Sequence, residues 1–152
     1  MSRRPVPPDR QDIPPDRQDI PPDRQAAPFV QRPAVLLAVT AARLIAVLPP
    51  RRIRQVLSLA RRGAAPATGE QALTARRAVV ALSARCAGEA CLQRSVATAL
   101  LCRMRGTWPD WCTGVRTAPF RAHAWVEAEG RPVGEPFPAD YYRTLIKVAA
   151  ES

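Results

Sequence analysis

A proline-rich repeat at the start of the chain limits how much of it can fold into a compact domain. The heptapeptide Pro-Pro-Asp-Arg-Gln-Asp-Ile begins at Pro7, recurs at Pro14 and starts a third time at Pro21. Paired prolines remove amide donors and clash with the preceding helical turn, so this period of seven does not indicate a coiled coil. One isoleucine per copy buries too little surface to offset the entropy of ordering the segment. We predict a disordered or polyproline-II arm over residues 1–33, serving as a docking segment or a dispensable tail, and a folded domain over residues 34–152.

Charge narrows the possible partners of that domain. The chain has 23 basic and 13 acidic residues, a formal net charge of +10, and a single lysine, Lys147. Such an arginine excess can reflect a GC-rich genome, or it can indicate an acidic partner. Aromatic side chains interleaved with a basic patch would suggest nucleic-acid binding, but only 5% of the residues are aromatic. We therefore expect a peptide or protein partner and no nucleic acid.

The cysteine spacing argues against a metal site. The four cysteines contain no Cys-x-x-Cys pair; they are Cys86, Cys91, Cys102 and Cys112. Structural zinc sites usually take ligand pairs two to four residues apart. The N-terminus lacks the apolar region of a secretory signal, so we expect a cytoplasmic protein with reduced thiols. We predict no metal and no cofactor, and interpret Cys86, Cys102 and Cys112 as small apolar packing residues.

Apolar periodicity predicts helices in the first part of the folded domain. Residues 34–48 are almost wholly apolar, but about fifteen residues are too few to span a bilayer comfortably, so we predict a buried helix rather than a membrane anchor. Residues 51–62 show helical spacing, with arginines on the opposite face. Thr68 and Gln71 fit a capping box at the start of a third helix, which should end at about Cys86.

The remaining sequence predicts one further helix and then strands. On the third helix, Arg76 and Arg77 are expected to point to water. A fourth helix should begin at about Cys91 and end near Gly106. Three short strands should follow, over residues 111–117, 121–127 and 131–135, and the tail from Tyr141 to Ala149 should form a helix, with a strand as the alternative. These elements predict an α+β fold in which N-terminal helices pack with a small antiparallel sheet.

Cys91 is the candidate nucleophile. At a helix N-terminus its sulfur lies near unpaired amides and the positive end of the helix dipole, and both favour thiolate over thiol. The same amides can donate to an oxyanion on an attacked carbonyl. An isolated cysteine in this position would otherwise be interpreted as a buried structural residue.

His123 is the only histidine, so it is the one imidazole that can act as the base. Residues 128–130 are predicted to form a three-residue hairpin loop with Gly130 in the left-handed conformation. That loop places His123 opposite Glu135, which we predict to orient and charge the imidazole, with Asp140 as the reserve candidate. A two-residue loop would instead put Glu135 on the opposite face of the hairpin.

The order of cysteine, histidine and acid, on a helix followed by strands, resembles the transglutaminase-like branch of papain-type folds. More closely, four segments resemble the lasso-peptide leader peptidases: Cys91-Leu92-Gln93-Arg94-Ser95, Gly114-Val115-Arg116, Pro119-Phe120 and His123-Ala124-Trp125-Val126-Glu127. The resemblance covers about residues 85–145. It implies a Cys91 nucleophile, a His123 base and an acid at Glu135, where the family usually has aspartate.

The resemblance implies a cysteine protease that removes the leader from a lasso-peptide precursor. About thirty repetitive residues cannot form the winged-helix leader-recognition domain of fused family members. We therefore expect a separate leader-binding protein, with residues 34–62 as docking helices, and a lasso cyclase that uses the freed amine. Two alternatives remain open: an acyl transferase or transglutaminase with the same three residues, and a non-enzymatic adaptor that binds peptide or nucleic acid through its arginines.

Overall fold

The computed structural model describes residues 31–83, 86, 88 and 90–151, so the predicted arm over residues 1–33 lies almost wholly outside the described residues. Four helices are described: α1 (Arg32–Ala46), α2 (Pro50–Ala60), α3 (Gly69–Leu82) and α4 (Cys91–Met104). Six strands are described with them: β1 (Ala65–Pro66), β2 (Thr107–Trp108), β3 (Asp110–Thr117), β4 (Phe120–Ala128), β5 (Arg131–Pro132) and β6 (Arg143–Val148). The predicted α+β fold class is confirmed.

The sheet and the helices share one core, with α4 at its centre. The main sheet is antiparallel with strand order β5-β4-β3-β6, while β1 and β2 form a small parallel pair. Helix α4 packs against α1, α3 and β4, and its buried residues include Val96, Ala97 and Leu101. Each helix in the described part of the chain is too short or too polar to cross a bilayer.

Helix α3 begins as its sequence predicts but ends earlier. The Thr68 hydroxyl accepts a hydrogen bond from the Gln71 amide at 3.2 Å, and the Gln71 side-chain oxygen accepts one from the Thr68 amide at 2.9 Å. The helix ends at Leu82 rather than near Cys86. The expectation that Arg76 points to water is wrong, because its residue is only 5% exposed, whereas Arg77 is exposed.

The C-terminal tail forms a strand, so the predicted helix over Tyr141–Ala149 is wrong and the strand alternative is confirmed. Strand β6 pairs with β3 and satisfies the backbone groups on that side of the sheet. Lys147 fixes the pairing, because its ammonium lies 2.9 Å from carboxylate oxygens of both Asp110 and Glu127. A short apolar segment is compatible with helix or strand, and the available partner strand decides between them.

The hairpin between β4 and β5 has a two-residue turn, so the predicted three-residue loop is wrong. Glu129 (φ 54°) and Gly130 (φ 74°) both have positive φ, the pattern of a type I′ turn, whose twist matches that of the flanking strands. Ala128 therefore pairs with Arg131, and the register differs by one residue from the predicted one. The left-handed conformation of Gly130 is confirmed, but the third predicted strand is reduced to Arg131–Pro132.

Replacing Gly114 with alanine should destabilise the protein, because Gly114 lies where the β3–β6 register shifts. A Cβ atom there would be 2.5 Å from the Arg143 carbonyl oxygen and 2.9 Å from the Trp125 ring. We expect the free energy of unfolding, measured by urea denaturation, to fall by about 1–3 kcal/mol. Gly69→Ala is the control, since its Cβ would meet only the flexible Glu129 carboxylate. Equal stability of the Gly114→Ala variant and the wild type would contradict the close approach.

Candidate active site

Three side chains predicted from the sequence lie together where α4 meets the sheet. Cys91 is the first residue of α4, His123 lies in β4, and Glu135 follows β5. The His123 Nε2 atom is 2.9 Å from Glu135 Oε2. The Cys91 thiol lies close enough to the His123 ring for each group to shift the pKa of the other. Because Nε2 is engaged by Glu135, Nδ1 is the ring nitrogen left for the Cys91 sulfur.

Glu135 reaches His123 by a different path from the predicted one. In the observed register, simple strand alternation would turn Glu135 away from the face that carries His123. However, β5 ends at Pro132, and Gly134 adopts a left-handed φ of 65°. This turn directs the chain back, so that Glu135 contacts the imidazole. Asp140, the reserve candidate, is exposed, and the carboxylate on His123 Nε2 is that of Glu135.

The surroundings of Cys91 favour the thiolate. Burial raises the pKa of its thiol, but the hydrogen bond with His123, a hydrogen bond from the Ala124 backbone amide and the positive charges of His123 and Arg94 lower it, leaving the pKa below its ordinary value. Its position at the helix N-terminus acts in the same direction. Cys91 therefore combines partial exposure with a stabilised negative charge.

The other three cysteines are buried packing residues, as the sequence predicts. Cys86 and Cys112 are 0% exposed and Cys102 is 1% exposed. Burial raises the pKa of Cys102 to about 11 and that of Cys112 to about 12, so these thiols stay protonated at neutral pH. In the described residues, His, Cys, Asp and Glu side chains do not form a group of three that could hold a metal ion.

His123 is poised to be an imidazolium. Burial lowers the pKa of its ring, but the hydrogen bonds and charges of Cys91 and Glu135 outweigh that effect and raise the pKa to about 9. A thiolate on Cys91 and an imidazolium on His123 therefore stabilise each other. This is the protonation state in which a cysteine is a ready nucleophile and its neighbour is a ready acid.

Arg76 supports Glu135 from the side opposite His123. Its Nη2 atom is 3.5 Å from Glu135 Oε1, and the two side chains are 6% and 4% exposed. Burial raises the pKa of the Glu135 carboxyl, but His123, Arg76 and Arg94 lower it below its ordinary value. Arg76 was not predicted to be part of the site. A signal was available, since Arg76 occupies the same helical stripe as the buried Ala72, Ala75 and Val79.

Arg94 joins α4 to the segment that precedes it through hydrogen bonds. Its Nη1 atom donates to the carbonyl oxygens of Cys86 at 3.3 Å and Gly88 at 3.2 Å, and the residue is 6% exposed. Arg94 lies one turn after Cys91, within the segment that resembles the leader peptidases. Its guanidinium therefore fixes the chain that leads into Cys91 and adds positive charge near the sulfur.

Two aromatic rings pack against the imidazole. The ring of Tyr142 stacks on His123 with centroids 5.0 Å apart, and that of Trp125 lies 6.0 Å away and almost parallel. The Trp125 indole N–H donates to Glu127 Oε1 at 3.0 Å, which fixes its ring. A small crevice beside the imidazole is lined by His123, Trp125, Glu135, Phe137, Pro138 and Tyr142. Stacking of this kind limits rotation of the imidazole and favours its cationic form.

Replacing Arg76 with methionine should weaken the fold through Glu135. The substitution removes a cationic partner of a buried carboxylate. We expect a loss of about 1–3 kcal/mol in the free energy of unfolding, measured by urea denaturation. The adjacent Arg77→Met is the matched control, because Arg77 is exposed and its loss should cost about 0.5 kcal/mol or less. Equal effects of the two substitutions would contradict a role for Arg76 in holding Glu135.

A cysteine on the first turn of a helix, facing a histidine on an antiparallel sheet, is the arrangement of papain-like enzymes that use a thiol nucleophile. The family model described as the transglutaminase-like superfamily matches residues 35–147, a range that includes Cys91, His123 and Glu135. The chain belongs to the transglutaminase-like superfamily, which includes cysteine proteases and acyl transferases. Neither curated proteins nor solved structures gave a match.

Proposed function

We propose that this protein is a cysteine endopeptidase that removes the leader from a lasso-peptide precursor. The observation that carries the proposal is the contact of Cys91 with His123, whose other ring nitrogen lies 2.9 Å from Glu135. The segments Cys91–Ser95 and His123–Glu127 support the choice of substrate, because within the superfamily they resemble the leader peptidases.

In the proposed reaction, the Cys91 thiolate attacks the carbonyl carbon of the last leader residue. The His123 imidazolium then protonates the departing core amine, which leaves the leader attached to Cys91 as a thioester. The neutral His123 next takes a proton from water, and the resulting hydroxide releases the leader as a carboxylic acid and regenerates the thiolate. Glu135 holds the imidazole tautomer and stabilises the imidazolium in both half-reactions.

Backbone amides at the start of α4 are the proposed donors to the oxyanion. They lie beside the attacking sulfur and have no intrahelical partner. The Ala90 side chain provides no cap for them. Each such donor is typically worth about 2.7–4 kcal/mol of transition-state stabilisation.

We propose that a separate leader-recognition protein delivers the precursor and that a lasso cyclase uses the freed core amine. The outer face of α1 supports a protein partner, because it and the residue just after it expose four large apolar side chains: Leu36 (54%), Leu37 (61%), Leu44 (67%) and Val47 (81%). An apolar patch of this kind suits a protein contact better than nucleic acid. We place the reaction in the cytoplasm, with no membrane anchor, cofactor or metal.

The test combines the purified protein with a candidate precursor and its leader-binding protein, followed by intact-mass analysis. Hydrolysis should yield leader and core fragments whose masses sum to the precursor plus one water. An acyl transferase, the second activity within the superfamily, would instead join the leader to an added amine. We expect only hydrolysis, and only when the leader-binding protein is present. Uncleaved precursor or an amine adduct in the complete mixture would contradict the proposed activity.

A further inference from the structure

Helix α2 and the segment just after it carry an arginine groove, which we define by its lining residues Arg51, Arg54, Gln55, Ser58, Leu59 and Arg62. No acidic residue occurs between residues 31 and 69 of the sequence. Within the part of the chain that the structure describes, the three groove arginines make no ion pair. Leu59 adds one apolar side chain, 57% exposed, to this cationic surface. The groove therefore suits an acidic segment that also carries an isolated apolar residue.

The repeat at the start of the chain has that chemistry. Residues 7–25 contain five aspartates and three arginines, a net charge of −2 in a chain whose total is +10. Each complete copy supplies two aspartates three residues apart and one isoleucine. In a polyproline-II conformation, residues three apart share one edge, so the two aspartates of a copy would face the same way.

The chain enters α1 close to one end of the groove. Gln31, just before α1, accepts a hydrogen bond from Arg105 at 2.7 Å. Arg103, two residues earlier on α4, donates to the carbonyl oxygens of Ala60 at 2.6 Å and Arg62 at 3.2 Å. Gln31 and the C-terminal end of α2 are thus held by two arginines at the end of α4, Arg103 in its last turn and Arg105 just after it. Residues 26–30, which join the repeat to Gln31, can span at most about 17 Å.

We propose that the acidic repeat of residues 7–25 docks in the arginine groove of its own chain. From Arg51 to Arg62 there are eleven residue steps, or about 16 Å at the rise of a helix, which five or six polyproline-II residues match at about 3.1 Å each. One copy covers the groove, with aspartates on its arginines and isoleucine on Leu59. Near-identical copies raise the effective concentration of the docked sequence. This proposal does not depend on the protease activity.

Trypsin digestion of the full-length chain tests the docking. Arg10, Arg17 and Arg24 are each followed by glutamine, so trypsin can cut the repeat at all three positions. We expect mass spectrometry to record faster cleavage of the repeat in an Arg51→Gln/Arg54→Gln/Arg62→Gln variant than in the wild type. The increase should be about 3–10-fold, because the variant loses several exposed ion pairs between the repeat and the groove. Circular dichroism should verify that the variant stays folded.

The matched control changes the net charge equally at exposed arginines outside the groove. The variant Arg43→Gln/Arg77→Gln/Arg131→Gln should be cut at the wild-type rate. Salt at about 1 M should remove the protection in the wild type, and so should an added synthetic peptide of residues 7–25. Equal cleavage rates in the wild type and the groove variant would overturn the proposal. Protection that grows with protein concentration would assign the groove to the repeat of a second copy, and would overturn docking within one chain.

Discussion

Replacing Cys91 with alanine should abolish cleavage of the precursor, with a fall in turnover of about 10⁴-fold or more. The variant lacks the atom that forms the thioester, so water would have to attack the peptide bond without covalent catalysis. Binding of the precursor should persist, because only one small side chain changes. The measurement is single-turnover cleavage followed by mass spectrometry with the leader-binding protein present.

The control for this experiment is Cys102→Ala, which makes the same chemical change on the same helix. Cys102 is buried, and burial raises the pKa of its thiol to about 11, so it is not a nucleophile at neutral pH. We expect Cys102→Ala to keep its activity. A Cys91→Ala variant that retains full biological function would instead favour a non-enzymatic adaptor, and cleavage by that variant would exclude Cys91 as the nucleophile.

Replacing Glu135 with glutamine should lower activity by up to about 10⁴-fold, the effect on kcat of replacing the acid of a comparable triad with its amide. It should also change the pH profile. The reactive state requires a protonated His123, so activity is present below the pKa of His123 and is lost as the pH rises through about 9. Glu135 raises that pKa. The alkaline limb of the pH profile, where activity is lost, should therefore move to lower pH in the Glu135→Gln variant.

Activity should also be lost on the acid side of the same pH profile. Activity requires a deprotonated Cys91, so it is lost as the pH falls through the lowered pKa of that thiol. Asp140→Asn is the matched control, because Asp140 is an exposed carboxylate on the same stretch of chain. An unchanged alkaline limb in the Glu135→Gln variant, or an equal loss in Asp140→Asn, would contradict the assigned role of Glu135.

Local chemistry made several elements predictable from the sequence. The capping box at Thr68 and the helix that begins at Cys91 depend on residues close in sequence, and both are present. The positive φ of Gly130 follows from the absence of a Cβ atom. Near-continuous apolar sequence likewise specified a helix in the region of α1.

The features that the sequence did not predict depend on uncommon backbone conformations or on residues far apart in the chain. The hairpin register differed because Glu129 adopts a positive φ, which is uncommon for a residue with a side chain. The contact between Glu135 and His123 was expected through strand pairing, but it depends on the turn at Gly134. The helical stripe of Ala72, Ala75 and Val79 indicates that Arg76 is buried, but it does not indicate its partner, a carboxylate 59 residues away in sequence.

The central claim is that His123 holds Cys91 as a thiolate near neutral pH, and the pH dependence of Cys91 alkylation measures this without any substrate. Iodoacetamide modification would be followed at the Cys91 peptide in the wild type and in His123→Ala. In the wild type, the rate should rise through a pKa below that of an ordinary thiol, about 8.5. In His123→Ala, the imidazole no longer offsets the increase in the pKa of Cys91 that burial causes. The alkylation rate should therefore rise at a higher pH than in the wild type. A wild-type Cys91 that titrates at or above the ordinary value, or a profile unchanged by His123→Ala, would contradict the claim.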